Sequence, residues 1–134
     1  MPAPMDHRAG TVARPPLLPS WDGYPLVATL RERLEVPVIL ENDVNLRALG
    51  ETRSRPPEQG PVVYVKVGTG IGAGIVNADG TILRGADGAA GDIGHLRVID
   101  SDALCSCGGR GCLEAVASAG AVGRALGVRD EDLG

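Results

Sequence analysis

Apolar and polar positions change rhythm several times along the 134 residues, and each change predicts a different element. Residues 1–20 have no periodic apolar pattern and hold five prolines (Pro2, Pro4, Pro15, Pro16 and Pro19), which predicts an extended, looping arm. Behind Pro25, the residues Leu26, Leu30, Arg33 and Leu34 follow at helical spacing and predict a helix over 25–34 with one apolar face. The apolar run 36–40, entered through Pro37, reads as a short buried strand. A second helix continues through Leu46, Ala48, Leu49 and Glu51, with Asn42 or Asp43 available as its cap.

The run Val62–Val67 is the strongest strand signal in the chain. It feeds a glycine loop, Gly68-Thr69-Gly70-Ile71-Gly72-Ala73-Gly74, after which 75–76 and 81–83 flank a four-residue turn, Asn77-Ala78-Asp79-Gly80. A helix is expected from about Leu113, broken by Gly120 before a last helical piece over 121–126, and the acidic stretch 129–132 follows. Strands alternating with helices make the fold class α/β. The expected organisation is an arm (1–20), a helix–strand–helix unit ending a first lobe (21–55), a linker (56–61) and the start of a second lobe (62–134). Asn42 and Asp43 then stand where a strand ends and a helix begins, the edge at which open α/β sheets bind ligands.

The net charge of −4 argues against a nucleic-acid surface on these residues, because phosphate binding needs clustered Lys and Arg. Trp21, Tyr24 and Tyr64 are the only aromatics, so the core must be built from Val, Leu, Ile and Ala. No export signal and no apolar run of membrane length is visible, which makes the cytoplasm the expected location and a membrane partner unexpected.

The chemistry concentrates in two motifs. Cys105, Cys107 and Cys112 lie within eight residues, and His95 precedes the first by ten. Three thiolates and one imidazole make a closed tetrahedral zinc set, and the glycines between Cys107 and Cys112 let three sulfurs converge. The alternative is free or buried cysteines without metal; an odd, tightly clustered number does not suit a disulfide framework. His7, in the arm, reads as a solvated loop histidine. The second motif is the glycine loop. It precedes a strand rather than a helix and lacks a following Gly-Lys-Ser/Thr, so it is neither a dinucleotide fingerprint nor a Walker loop. A phosphate grip and a ligand-free tight hairpin both remain open on the residues alone.

Gly91-Asp92-Ile93-Gly94-His95, followed by Cys105-Ser106-Cys107-Gly108-Gly109-Arg110-Gly111-Cys112-Leu113-Glu114, resembles the signature of the ROK family of bacterial sugar kinases and sugar-responsive transcriptional repressors. The resemblance implies a partial actin-like ATPase (ribonuclease H-like) fold with a zinc-binding loop. It implies that Gly68, Thr69, Gly70 and Gly72 descend from a phosphate site. It also implies that Asn42, Asp43, Asp92, His95 and Glu114 face a sugar, with His95, Cys105, Cys107 and Cys112 holding a structural zinc. In a kinase of the family, Asp43 would be the general base, with ATP and magnesium as cofactors. Family members commonly pair, so a homodimer is expected.

Departures favour the regulator branch. ROK kinases usually have Glu where this chain has Asp92, and a small hydroxyl residue where it has Lys66. The family's first phosphate loop, Asp-x-Gly-Gly-Thr, does not occur in these residues, nor does a basic helix-turn-helix. The expected function is therefore the sugar-binding effector part of a transcriptional regulator, contacting DNA only through a domain absent from this chain. The alternatives are part of a glucokinase-like sugar kinase, or a truncated inactive product, and the fragment alone is expected to be inactive.

Overall fold

The computed structural model describes residues 1–134 except 2, 14, 16, 17, 57–59, 99 and 129–134. The middle of the linker, two of the arm's prolines and the acidic stretch 129–132 thus lie outside the described residues.

The arm is folded rather than extended. Strands β1 (Met5–Asp6) and β2 (Thr11–Val12) pair antiparallel, and Ala3, Met5 and Val12 are buried. Asp6 makes the turn: its Oδ1 accepts the backbone N–H groups of Arg8 and Ala9, each at 2.9 Å. That local side-chain bond carries no apolar periodicity, which is why the hydropathy pattern misses the hairpin. A short 3-10 turn (Pro19–Trp21) leads on to helix α1 (Leu26–Leu34), where Pro25 stands at the N-cap.

The predicted buried strand at 36–40 does not form. No ladder reaches these residues; Ile39 is 90% exposed and Val36 51%. A strand is stabilised by a hydrogen-bonded neighbour, and Pro37 brings no N–H of its own. The contact recorded here comes from a side chain, Arg31 Nη2 donating to Val38 O at 3.3 Å.

Helix α2 (Asp43–Ser54) starts at Asn42, whose Oδ1 accepts the Val44 N–H at 2.8 Å. Strands β3 (Val62–Val67) and β4 (Ile71–Val76) form an antiparallel hairpin around the glycine loop, in register from Val62 opposite Val76 to Val67 opposite Ile71. Helix α2 lies on this hairpin: Val44 packs over Gly72 and Gly74 of β4 and Ala48 over Gly74, and Val44, Ala48 and Val76 are buried. The other face of β3 is open, with Val63, Val65 and Val67 exposed. Beyond β4 the predicted turn is present but short-lived. Asn77 N donates to Thr81 O at 2.8 Å, and pairing ends after a single Val76–Ile82 bridge and the Leu83 N–H to Ile75 O bond.

After a 3-10 turn (Ile93–His95) and the cysteine loop come helices α3 (Leu113–Ala117) and α4 (Ala119–Leu126). They separate at Ser118, not at Gly120. The Ser118 hydroxyl oxygen accepts the Ala121 N–H at 3.1 Å, so a cap starts a new helix two residues earlier, and Gly120 is simply buried inside α4.

Candidate metal centre and sugar-facing motifs

The cysteine loop is a small knuckle of backbone bonds. Cys105 N donates to Gly109 O (2.9 Å), Gly108 N to Cys105 O (3.0 Å) and Gly111 N to Ala103 O (2.9 Å), with a bridge between Leu104 and Arg110. A second set ties the strand-like segment after His95 to Cys112: Val98 N donates to Gly111 O, Leu113 N to Leu96 O, and Arg97 bridges Cys112. His95 ends the 3-10 turn, which is anchored to β4 because Ala73 N donates to Gly91 O at 2.7 Å. Sequence neighbours and ladder bonds together carry the four side chains to one point.

There the ligand atoms of His95, Cys105, Cys107 and Cys112 all lie within 4.8 Å of one another. Cys107 and Cys112 sulfurs are 3.8 Å apart, and Cys105 Sγ is 3.6 Å from His95 Nδ1. A tetrahedral zinc with bonds of about 2.3 Å to sulfur and about 2.0 Å to nitrogen spaces its ligands by about 3.8 Å (S···S) and about 3.5 Å (S···N). The residues fit the metal. A disulfide, with sulfurs about 2.05 Å apart, is not what this geometry holds, and the cysteines are free. Without a cation the thiols differ. The Gly109 N–H holds Cys107 below its ordinary value, while burial and the neighbouring sulfurs push Cys112 up to about 11. A bound cation would favour the thiolate at all three.

The predicted sugar-facing residues fall into two groups. Asn42 is engaged at both ends, capping α2 through Oδ1 and reaching Ala3 O through Nδ2 at 3.4 Å. Asp43 follows it, and Lys66 Nζ donates to Asp43 Oδ2 at 3.1 Å. Across the hairpin, Glu114 accepts the Ile71 N–H at Oε2 (2.9 Å) and the Ser106 hydroxyl at Oε1 (3.2 Å). Asp92 lies at the head of the 3-10 turn with Oδ1 3.9 Å from His95 Nε2, the ring nitrogen turned away from Cys105. Gly68, Thr69 and Gly70 form the loop between β3 and β4, whereas Gly72 stands inside β4, opposite Lys66.

The sequence reading passes over a third cluster. Glu41 is buried, and four groups surround it: Asn42 N and Asn45 Nδ2 donate to Oε1, each at 2.9 Å, Arg84 Nε donates to Oε2 at 2.9 Å, and His7 Nε2 stands 3.8 Å from Oε1. His7 is the exposed turn histidine expected in the arm, and its ring reaches the edge of this cluster. Burial alone would raise the Glu41 carboxyl, but the Asn45 amide, the Asn42 N–H and Arg84 outweigh it and leave it below its ordinary value. The Glu41–Asn45 spacing of one helical turn was the one local signal; Arg84 and His7 are too distant in sequence to announce themselves. The Arg84 side of the cluster opens on a groove also lined by Arg8, Arg31 and Leu40, which holds none of the predicted ligands.

The ROK family model matches residues 1–133. The chain belongs to the ROK family. Among relatives of this ROK chain, a glucokinase from Halalkalibacterium halodurans is 45% identical over 106 residues, covering 78% of this chain and 32% of that protein. A xylose repressor from Caldicellulosiruptor bescii is 40% identical over 121 residues, covering 88% of this chain and 29% of that one. The solved structure of a ROK hexokinase from Thermus thermophilus superposes with a TM-score of 0.78 at 39% identity, covering 93% of this chain and 41% of the hexokinase. The ROK chain described here thus spans about a third of the length of the curated relatives it matches, and both kinases and repressors stand among them.

Proposed function

We propose that this chain carries the sugar site of a ROK protein around a structural zinc, within a partial actin-like ATPase fold. The observation that carries the reading is the His95, Cys105, Cys107 and Cys112 cluster, with its tetrahedral spacings, in the segment that leads directly into Glu114. His95, Cys105, Cys107 and Cys112 would hold the metal with no position left for water or sugar, so it would supply a rigid crosslink of the loop rather than Lewis-acid chemistry. The chain's own residues do the binding. Asn42 and Asp43 offer an amide and a carboxylate to sugar hydroxyls; Asp92, Glu114 and the second ring nitrogen of His95 offer the remaining polar contacts. Gly68, Thr69, Gly70 and Gly72 belong to the strand–loop–strand that would grip a phosphate. No helix among the described residues is long and apolar enough to cross a membrane; cytoplasmic location and homodimer formation are part of the proposal.

Within that reading, the effector-binding part of a transcriptional regulator is favoured by Lys66. Its ammonium takes Asp43 Oδ2, an oxygen that a kinase would want free to receive a hydroxyl proton. Sugar binding would then shift the angle between two lobes and so the DNA affinity of a domain outside this chain. The second reading, a sugar kinase, is favoured by the intact glycine hairpin. There Asp43 would take the proton of a sugar hydroxyl while its oxygen attacks the terminal phosphorus of ATP and ADP leaves.

Calorimetric titration of the whole gene product with a panel of hexoses and pentoses, paired with a coupled assay for ADP, separates the two. The regulator reading expects sugar binding with no sugar-dependent ATP turnover. Clear turnover that disappears in Asp43→Asn would overturn it. No turnover is expected from these 134 residues alone.

A further inference from the structure

Glu114 takes hydrogen bonds from two segments at once. Its Oε2 accepts the N–H of Ile71, the first residue of β4 and the one directly after the 68–70 loop, at 2.9 Å. Its Oε1 accepts the hydroxyl of Ser106, which stands between two of the metal-cluster cysteines, at 3.2 Å. Glu114 itself lies two residues beyond the third cysteine, Cys112, which caps α3. The carboxylate sits directly on the loop: a Cβ on Gly70 would come within 2.6 Å of Oε2, and one on Gly94 within 3.4 Å. From the α4 side, Ala119 N donates to Gly68 O at 2.8 Å. Both ends of the glycine loop are therefore held by the segment that follows the cysteines.

We propose that Glu114 is a positioning residue that couples metal occupancy to the shape of the glycine loop. The inference rests on the zinc reading above. The chain of causes is short: four ligands fix Cys112 and the Cys105–Cys107 turn, these fix both ends of the Glu114 side chain, and the carboxylate fixes the Ile71 N–H and the residues before it. A carboxylate accepting a backbone N–H is a charge-assisted bond, among the stronger kind. Losing it leaves the N–H of Ile71, a residue only 8% exposed, without its acceptor. Loss of the metal would thus loosen a phosphate-type loop that contains no metal ligand.

Amide hydrogen exchange followed by NMR, with zinc content read by native mass spectrometry, tests the coupling on this chain. In the zinc-loaded Glu114→Ala variant, Ile71 exchange is expected to rise at least tenfold while one zinc stays bound and the Ala48 amide in α2 is unchanged. Glu114→Gln keeps a carbonyl acceptor and should stay within threefold of the parent. Chelating zinc from the parent should speed Ile71 by a factor similar to Glu114→Ala, and chelating it from Glu114→Ala should add little. Additive effects, or unchanged Ile71 exchange in zinc-loaded Glu114→Ala, overturn the coupling. Should Glu114→Ala fail to fold, Ser106→Ala, a change at an exposed side chain, decides: Ile71 exchange about threefold faster supports the coupling, and no change overturns it. A folded chain that takes up no zinc overturns the metal reading as well, so the two failures are distinguishable.

Discussion

Glu41 and Glu114 each tie together segments 43 residues apart, the first by an ion pair to Arg84 and the second through the backbone N–H of Ile71. Their surroundings differ. Glu41 is buried and satisfied entirely by side chains and one backbone N–H of the α2 region, so its half of the molecule is held by groups the chain itself supplies. Glu114 is only partly covered and stands inside a knuckle of turns with few apolar contacts, where Cys105 and Cys112 are the buried side chains. In the proposed reading that half takes its cohesion from a metal held by His95, Cys105, Cys107 and Cys112. Small, glycine-rich loops cannot bury enough apolar surface to fix themselves, and a structural metal contributes on the order of 10 kcal/mol where a core cannot.

Metal removal should have the largest effect, and on one half alone. Chelation, or Cys105→Ser, is expected to abolish protected amides over 91–118 while those of α2 persist, as an HSQC spectrum recorded before and after would reveal. Next in size is Glu41→Ala. It strands the Asn45 amide, the Asn42 N–H and the Arg84 guanidinium, and should cost about 3 kcal/mol by denaturant midpoint with zinc content unchanged.

Acid should take the halves apart in order. A metal held by thiolates competes with protons for its sulfurs, so acid should release it before it protonates a carboxylate. Glu41 has a folded pKa below its ordinary value of 4.5, so its stabilisation is complete above that value and is lost as pH falls through the lowered one. Circular dichroism combined with zinc release, followed from pH 7 to 3, should therefore give two steps with the metal step first. Ser118→Ala removes the α4 cap and should cost about 1 kcal/mol, measured by thermal melting. The smallest effect is expected of Lys66→Thr. Its pair with Asp43 is partly exposed and contributes at most about 1 kcal/mol to stability, yet in the whole protein it should alter sugar affinity, which titration would detect.

The parts of the site that were legible in the sequence are those whose chemistry is local. Cys105, Cys107 and Cys112 announce a common point by spacing alone, and the structure brings His95 to it. The Val62–Val67 run, the glycine loop and the Asn42 cap are equally short-range, and they stand where they were expected. What failed was decided by partners. Val36 and Ile39 have the composition of a buried strand, but an apolar run becomes a strand only when a ladder neighbour lies beside it. Gly120 looked like a helix break, yet a satisfied cap at Ser118 starts a new helix and leaves the glycine to pack inside it. Asp6 folded an arm that proline content made look extended. Glu41, Arg84 and His7 form a cluster that no one-dimensional pattern connects, because its members meet only after the hairpin and α2 have docked.

The proposed zinc is closed and structural, and its ligands lie in the segment between β4 and Glu114. X-ray absorption at the zinc edge on the purified chain reads that coordination. One zinc per chain is expected, with three sulfurs at about 2.3 Å, one imidazole nitrogen at about 2.0 Å and no oxygen ligand. A folded chain without zinc, or a zinc bound mainly by oxygen, would contradict it.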